Sequence, residues 1–544
     1  MAPLRKQQQK SSRDARSKTP GCETIPASFF YPHAGKEKAA LLTRDGAKMV
    51  EKTRGEFEKD VRELAMGLIS LGIGPGERVA ILLENGPEWI ISDLAIAAAG
   101  AVSVPVYTTL GKEEMLSLLK DSLPSAIIFS DAHRARVFEI KTELASLRRL
   151  VSTGGEGEGI STLDGVKALG RESGNEDLMA ERIKGISGSA PFSIIYSSGT
   201  TGRAKGVVLS HKNILSNISS VLGLLPVAKD DIYLSYLPLS HVFERMMHHL
   251  FVYRGSAVAY SKGFASVGAD MGFFRPSIMT GVPFFFERMK DKILSTLGDR
   301  GAAEPGGHSG ERIREAAFPG VKFFISGGAA LHKATAQFFL NLGLKVLQGY
   351  GLTETSPVVT VNTLEANKPG TVGRAVPGVK VKTNAEGEIL VKGPNVMKGY
   401  HNMPGATKEA LKDGWLHTGD IGFIDRDGFL TITGRKKDLI ITSLGKNIPP
   451  QKIETLLKAD EYIKEALIYG DGRPHLVALI VPEAERMEGL AKELGMEGME
   501  METLLADKAV HDFFEGRIHA RLKGLARFEQ IRRFALIRDS LSLE

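Results

Sequence analysis

The sequence predicts an α/β protein with a large N-terminal domain of layered sheets and helices and a small α+β domain after it. Three observations lead there. At 544 residues the chain exceeds what one ordinary core holds. Short apolar, strand-like runs alternate with helical patterns through the first four hundred residues, the order that lays helices over largely parallel sheets. After Gly387 the texture turns to hairpin-like alternation, then to a compact helix–strand–turn–strand unit.

In chain order, residues 1–24 read as a disordered basic leader. Arg5, Lys6, Lys10, Arg13, Arg16 and Lys18 face a single acid, Asp14, and account for most of the net charge of +6. No apolar core follows these charges, so the leader is not a secretory signal. Helical spacing marks 56–71, and strand-like runs lie at 78–83, 125–129, 231–236 and 321–325. The longest apolar stretch, 90–106, contains Asp93, Gly100 and Pro105, and predicts a buried helix followed by a strand rather than a membrane span. Glycine-rich segments at 153–159 and 298–310 predict surface loops. Beyond Gly387, 388–391 and the runs flanking 425–428 predict hairpin strands. A helix at 451–457 and strands at 466–469 and 476–481 complete the small unit. The boundary is expected near 435–438, dividing the chain into 25–434 and 435–544, with no internal repeat.

Composition narrows the function. A single cysteine, Cys22, excludes an internal disulfide framework and a cysteine-based metal cluster, and suits a cytoplasmic protein. Basic residues cluster in the leader rather than on a recognisable module, so nucleic acid is not an expected partner. Membrane contact is expected to be peripheral only, at the inner face.

The most chemically informative segment is Tyr-Ser-Ser-Gly-Thr-Thr-Gly-Arg-Ala-Lys-Gly-Val at 196–207. Gly199, Gly202 and Gly206 let backbone approach an anion closely. Successive amides make an anion-binding concavity, to which Ser197, Ser198, Thr200 and Thr201 add hydroxyls. Lys205 supplies a mobile point charge suited to phosphate oxygens. No Gly-Lys-Ser/Thr tripeptide closes the loop, so it is not a Walker sequence. The apolar run 191–196 predicts a strand feeding it.

Four further segments follow: Leu-Pro-Leu-Ser-His-Val-Phe-Glu-Arg at 237–245, Gln-Gly-Tyr-Gly-Leu-Thr-Glu-Thr-Ser-Pro at 348–357, Trp-Leu-His-Thr-Gly-Asp-Ile-Gly at 415–422 and Gly-Arg-Lys-Lys-Asp-Leu-Ile at 434–440. With the loop, in this order, they resemble the signatures of the adenylate-forming (AMP-binding) enzymes, which include acyl-CoA synthetases, peptide adenylation domains and luciferases. Ala204 stands where that family usually has proline. The wording at 241–245 and 440–450 is most similar to the long-chain fatty acid:CoA ligases.

The resemblance implies ATP, Mg²⁺ and coenzyme A, with a fatty acid as the acyl substrate. It implies that Lys205 meets the phosphates, Thr353 donates to the α-phosphate, and Glu354 with Thr200 holds Mg²⁺, a hard cation suited to oxygen ligands. By the same resemblance Tyr350, followed by Gly351, stacks on adenine against a backbone wall of Gly327, Gly328 and Ala329. Asp420 and Arg435 take the ribose, and His241 lies near the acyl carboxylate. Lys437 falls at the hinge of a mobile C-terminal domain, and Gly445 and Lys446 on the loop that admits the pantetheine thiol. The aromatic run 281–286 is a candidate wall of the acyl tunnel.

Related ligases continue past a stretch like 528–537 into a closing segment bearing a lysine that acts in adenylation. Here the sequence stops at Glu544; Lys523 lies upstream, and Arg532 and Arg533 are out of register. A C-terminal domain lacking that segment is the expectation. Three explanations stay open: the sequence is incomplete, a partner supplies the end, or the protein binds nucleotide or acyl-adenylate with little turnover; a ligase for another carboxylic acid is a separate rival.

Overall fold

The computed structural model describes residues 23–30, 35–197, 204–297, 308–443, 446–539 and 541. The basic leader through residue 22, the loop residues Ser198, Gly199, Thr200, Thr201 and Gly202, and Gly445 lie outside the described residues. Two compact units form. One runs to Val381 and adds Val391–His417; the other joins Lys382–Leu390 to the chain from Thr418 onward. The boundary read near 435 falls inside the second unit.

Two sheets build the first unit. In a nine-stranded sheet Ala257–Tyr260, Ile232–Ser235, Ile278–Gly281, Phe323–Ser326 and Lys345–Gly351 lie side by side and parallel. In an eight-stranded sheet Arg149–Ser152, Ala126–Phe129, Arg78–Leu82, Val102–Pro105 and Pro191–Ser197 are likewise parallel. Lys205–Ser210 and Gly399–Tyr400 extend that sheet antiparallel. The apolar stretch 90–106 divides as expected into the helix Pro87–Ala98 and the strand Val102–Pro105. The helix at 56–71 is Arg54–Ser70, started two residues earlier by a capping box between Thr53 and Glu56.

The helix Val242–Arg254 is buried from Val242 through Val252 on every face. A helix apolar or paired all round belongs between layers. Here Arg245 reaches Ser193 and Ser103 of one sheet while Glu244 reaches Tyr233 and Thr280 of the other. The aromatic run at 281–286 opens the helix Pro283–Leu297, and its members divide: Phe285 and Phe286 are fully buried among core rings, Phe284 is 54% exposed. The loop read at 298–310 ends early, because the helix His308–Ala317 begins inside it.

The strands Trp415–Ile424 and Leu430–Arg435 form the expected hairpin, its turn closed by Asp425 Oδ1 accepting from the amides of Asp427 and Phe429, each at 2.9 Å. In the second unit the helix Pro450–Lys458 packs with a three-stranded sheet. Its central strand Leu476–Pro482 is antiparallel to Ile463–Tyr469 and parallel to Ile531–Leu536. Ile453, Leu457, Ile480, Phe514 and Leu522 form its core. Among the described residues no helix is long and apolar enough to cross a membrane.

Candidate active site

The site residues of the first unit gather at the carboxyl ends of parallel strands. Pro191–Ser197 runs out into residues 198–203, and the chain returns as Lys205–Ser210 with Ser197 opposite Lys205 and Tyr196 opposite Gly206. Lys205 therefore opens a strand rather than closing a loop, which fixes its backbone. Gly206 leaves no room for a side chain: a Cβ there would lie 2.9 Å from Ile194 Cγ2 and 3.0 Å from Tyr196 Cζ. On its other edge this strand pairs with Gly399–Tyr400, Tyr400 opposite Val207, and His401 N donates to Gly206 O at 2.7 Å.

That pairing brings Tyr400 against Lys205. The lysine Nζ sits 5.1 Å from the centre of the tyrosine ring, a cation–π distance. The Tyr400 hydroxyl donates to Glu354 Oε1 at 2.8 Å. Burial, reinforced by the Glu354 carboxylate, raises the phenol far above its ordinary range, so it stays a donor. Lys205, Tyr400 and Glu354 thus form one contact group from three separate segments.

Glu354 is carried on the short 3₁₀ turn Thr353–Thr355 that follows the strand Lys345–Gly351. Leu352 N donates to Thr355 Oγ1 at 2.9 Å, and Met397 N donates to Glu354 O at 2.8 Å. Asparagines clamp the surroundings. Asn213 Nδ2 donates to Pro394 O and Val396 O, and Asn395 Nδ2 to Thr355 O. Asn217 exchanges two bonds with the backbone of Val358. Gly351 is required by sterics: a Cβ would come within 2.0 Å of Pro357 O.

Gly327, Gly328 and Ala329 leave the end of Phe323–Ser326, beside the strand that carries Tyr350, with Ser326 opposite Gln348. Gly328 takes a φ of +82°, and a Cβ on Gly327 would meet the Phe243 ring at 3.0 Å, so both positions favour glycine. His241 caps the helix Val242–Arg254, its Nδ1 accepting from Phe243 N at 3.2 Å. Its side chain is exposed, and desolvation by the surrounding protein lowers its pKa below the usual imidazole value.

The second unit carries another pair. Asp420 lies opposite Arg435 in the hairpin, and Arg435 Nε sits 3.3 Å from Asp420 Oδ1. Asp420 is buried while Arg435 is exposed, so the carboxylate is held and the guanidinium is accessible. Gly419, with φ +73°, makes the bend before it, and its amide donates to the buried Glu388 at 3.2 Å. Lys437 lies exposed in the 3₁₀ turn Lys436–Asp438. Lys446 is tied by Thr442 Oγ1 to its amide at 3.1 Å, and its amine lies 5.6 Å from the Phe528 ring.

The donors fit a hard cation at Glu354. One carboxylate oxygen takes the tyrosine hydroxyl, and among the described residues the other has no partner. One protein carboxylate is the kind of support Mg²⁺ takes beside substrate phosphates. Among the described residues no group of three or more His, Cys, Asp or Glu side chains could hold a metal.

Sequence reasoning missed Tyr400 and the three asparagines. Tyr400 sits in Lys-Gly-Tyr-His at 398–401, where no spacing or charge marks it, and its partners lie 46 and 195 positions away in the chain.

Residues 33–401 match the AMP-binding enzyme family, and 437–501 match the C-terminal domain of AMP-binding enzymes. A long-chain-fatty-acid–CoA ligase of Mycobacterium bovis, FadD15, is 34% identical over 472 residues, covering 80% of this chain and 78% of that protein. The peroxisomal long chain acyl-CoA synthetase 7 of Arabidopsis thaliana is 30% identical over 535 residues, covering 89% and 75%. ATP-bound MatB from Rhodopseudomonas palustris superposes with a TM-score of 0.73 at 26% identity, covering 95% of each chain. These matches establish that the chain belongs to the AMP-binding family of adenylate-forming enzymes, similar within it to the long-chain fatty acid:CoA ligases.

Proposed function

We propose that this protein activates a long-chain fatty acid with ATP and transfers the acyl group to coenzyme A. The carboxylate oxygen attacks the α-phosphorus and pyrophosphate leaves, giving an acyl-adenylate. The thiol sulfur of coenzyme A then attacks the acyl carbon, and AMP leaves as the thiol proton is released. The observation that carries the reading is the group Lys205, Tyr400 and Glu354, in which a cation and a carboxylate meet the same tyrosine from two separate segments. Relatives named as long-chain fatty acid ligases support the acyl class.

Lys205 neutralises phosphate charge, and Thr353 donates to the α-phosphate. Glu354 with Thr200 holds Mg²⁺, which when bound supplies further charge neutralisation on the phosphates. Tyr350 stacks on adenine against Gly327, Gly328 and Ala329, with Gly351 giving the turn its clearance. His241, neutral at physiological pH because its pKa is lowered, faces the acyl carboxylate without repelling or trapping it. Asp420 accepts from the paired ribose hydroxyls and Arg435 supports them. Lys437 serves as the hinge, and Gly445 and Lys446 line the approach of the thiol.

ATP-dependent pyrophosphate release by the purified chain across a fatty acid series, with Mg²⁺ and coenzyme A, tests this. The expected result is release that peaks at long chains. Lys205→Ala and Glu354→Ala should each lower it by about 10²–10³ without unfolding the protein. Undiminished release in either variant would remove that residue from the site. Silence with every acid, alongside ATP binding, favours the low-turnover binding protein, and a peak at a short or aromatic acid favours a ligase of that acid.

A further inference from the structure

Lys205 and Glu354 carry opposite charges and meet at the same half-buried tyrosine, yet among the described residues no ion pair joins them. Opposite charges in such a setting attract strongly, because the local dielectric is well below that of water. A direct pair would tie up the phosphate cation and the metal-binding carboxylate together. Tyr400 stands where such a pair would otherwise close. Its ring face takes the amine at 5.1 Å and its hydroxyl takes one carboxylate oxygen at 2.8 Å. Backbone ties fix the spacing: Tyr400 pairs with the lysine strand at Val207, and Met397 N holds Glu354 O at 2.8 Å.

We propose that Tyr400 is a positioning residue that keeps Lys205 and Glu354 apart and orients the Glu354 carboxylate for the divalent cation that accompanies ATP. This rests on the ATP-dependent ligase reading above. The two contacts divide the work. The hydroxyl sets the carboxylate, so it governs the metal-dependent part of nucleotide binding. The ring face holds the amine, so it governs the part that needs no metal. A neutral phenol adds no charge of its own, and the hydroxyl occupies one carboxylate oxygen of Glu354 while leaving the other for the cation.

Calorimetric titration of ATP into the full chain, once with Mg²⁺ and once with EDTA, separates these roles. For Tyr400→Phe the gain in affinity that Mg²⁺ gives the wild type should shrink about tenfold, while affinity in EDTA stays unchanged. For Tyr400→Leu the affinity in EDTA should fall as well, by about tenfold, because Lys205 is released from the ring and pairs with Glu354. In pyrophosphate release Tyr400→Phe should lower kcat with KM for the fatty acid unchanged, a split that general loosening of the fold does not give. Equal Mg²⁺ dependence in Tyr400→Phe and wild type overturns the positioning role alone. Wild-type protein that binds no ATP in either buffer overturns the ligase reading, and this inference with it.

Discussion

Two fully buried carboxylates, Glu244 on the helix Val242–Arg254 and Asp93 facing that helix from Pro87–Ala98, are handled in opposite ways. Asp93 receives Arg245 in a fork, Nε to Oδ2 at 2.9 Å and Nη2 to Oδ1 at 2.5 Å, with His249 Nε2 at 2.9 Å from Oδ2. Burial alone would raise its pKa, but the guanidinium and the imidazole bring it down to about 2. Arg245 is itself satisfied by Ser193 and Ser103 and packs its plane 4.5 Å from the Phe192 ring. Glu244, the residue before Arg245, meets no cation among the described residues. Tyr233 and Thr280 donate to its Oε2 at 2.7 and 3.0 Å, and Ser235 lies near enough to lower the pKa without completing a bond to Oε1. Burial wins there, and the carboxyl is pushed up to about 7. The fork of donors holds Asp93 as a charge, whereas Glu244, met by hydroxyls alone, keeps its proton until the pH nears 7.

Breaking the first arrangement should have the larger effect. Arg245→Met removes the guanidinium and leaves buried Asp93 with His249 as its remaining side-chain partner, and should cost about 3–5 kcal/mol in urea unfolding at pH 7. Adding Asp93→Asn to that variant should recover much of the loss, and a double variant no better than the single would show that packing rather than charge is at stake. Glu244→Gln sharpens the comparison from the other side. A carboxyl whose folded pKa is raised contributes fully below its unfolded value near 4.5, and that contribution is lost as pH rises through about 7. Wild type should therefore lose on the order of 3 kcal/mol over this window that the Gln variant keeps. Parallel stability–pH curves for the two proteins would sink this account. Asp93 works in the opposite sense: its depressed pKa contributes stability above about 4 that is lost as pH falls toward 2. The smallest effect is expected where a charge is exposed. Lys446→Ala, removing the amine near Phe528, should change unfolding stability by less than about 0.5 kcal/mol.

Local pattern made much of the fold legible in the sequence. The strand read at 78–83 is Arg78–Leu82 and the helix read at 451–457 is Pro450–Lys458, each displaced by a single residue at one end or both. Antiparallel return was harder to read. Lys205 looks like the end of a glycine loop, and only pairing with Ser197 across the hairpin makes it the start of a strand. Phe284 and Phe285 are indistinguishable as letters, yet one is exposed and the other buried, because a helix begins at Pro283 and turns successive side chains to different faces. Asp420 and Arg435 were legible as a pair of motifs and are register neighbours. Tyr400 was not, since its meaning lies in contacts between distant segments.

The asparagine clamps give the first unit's site a particular kinetics. Asn213 and Asn217 stand on one helix, His211–Leu222, and hold the backbone on both sides of the site, at 394–396 and at 358. Side-chain amides that bridge two chain segments make their opening a shared event rather than two separate ones. In hydrogen exchange the amides of Val358, Met397 and His401 should then behave as one cooperative block, freed together when that helix lets go.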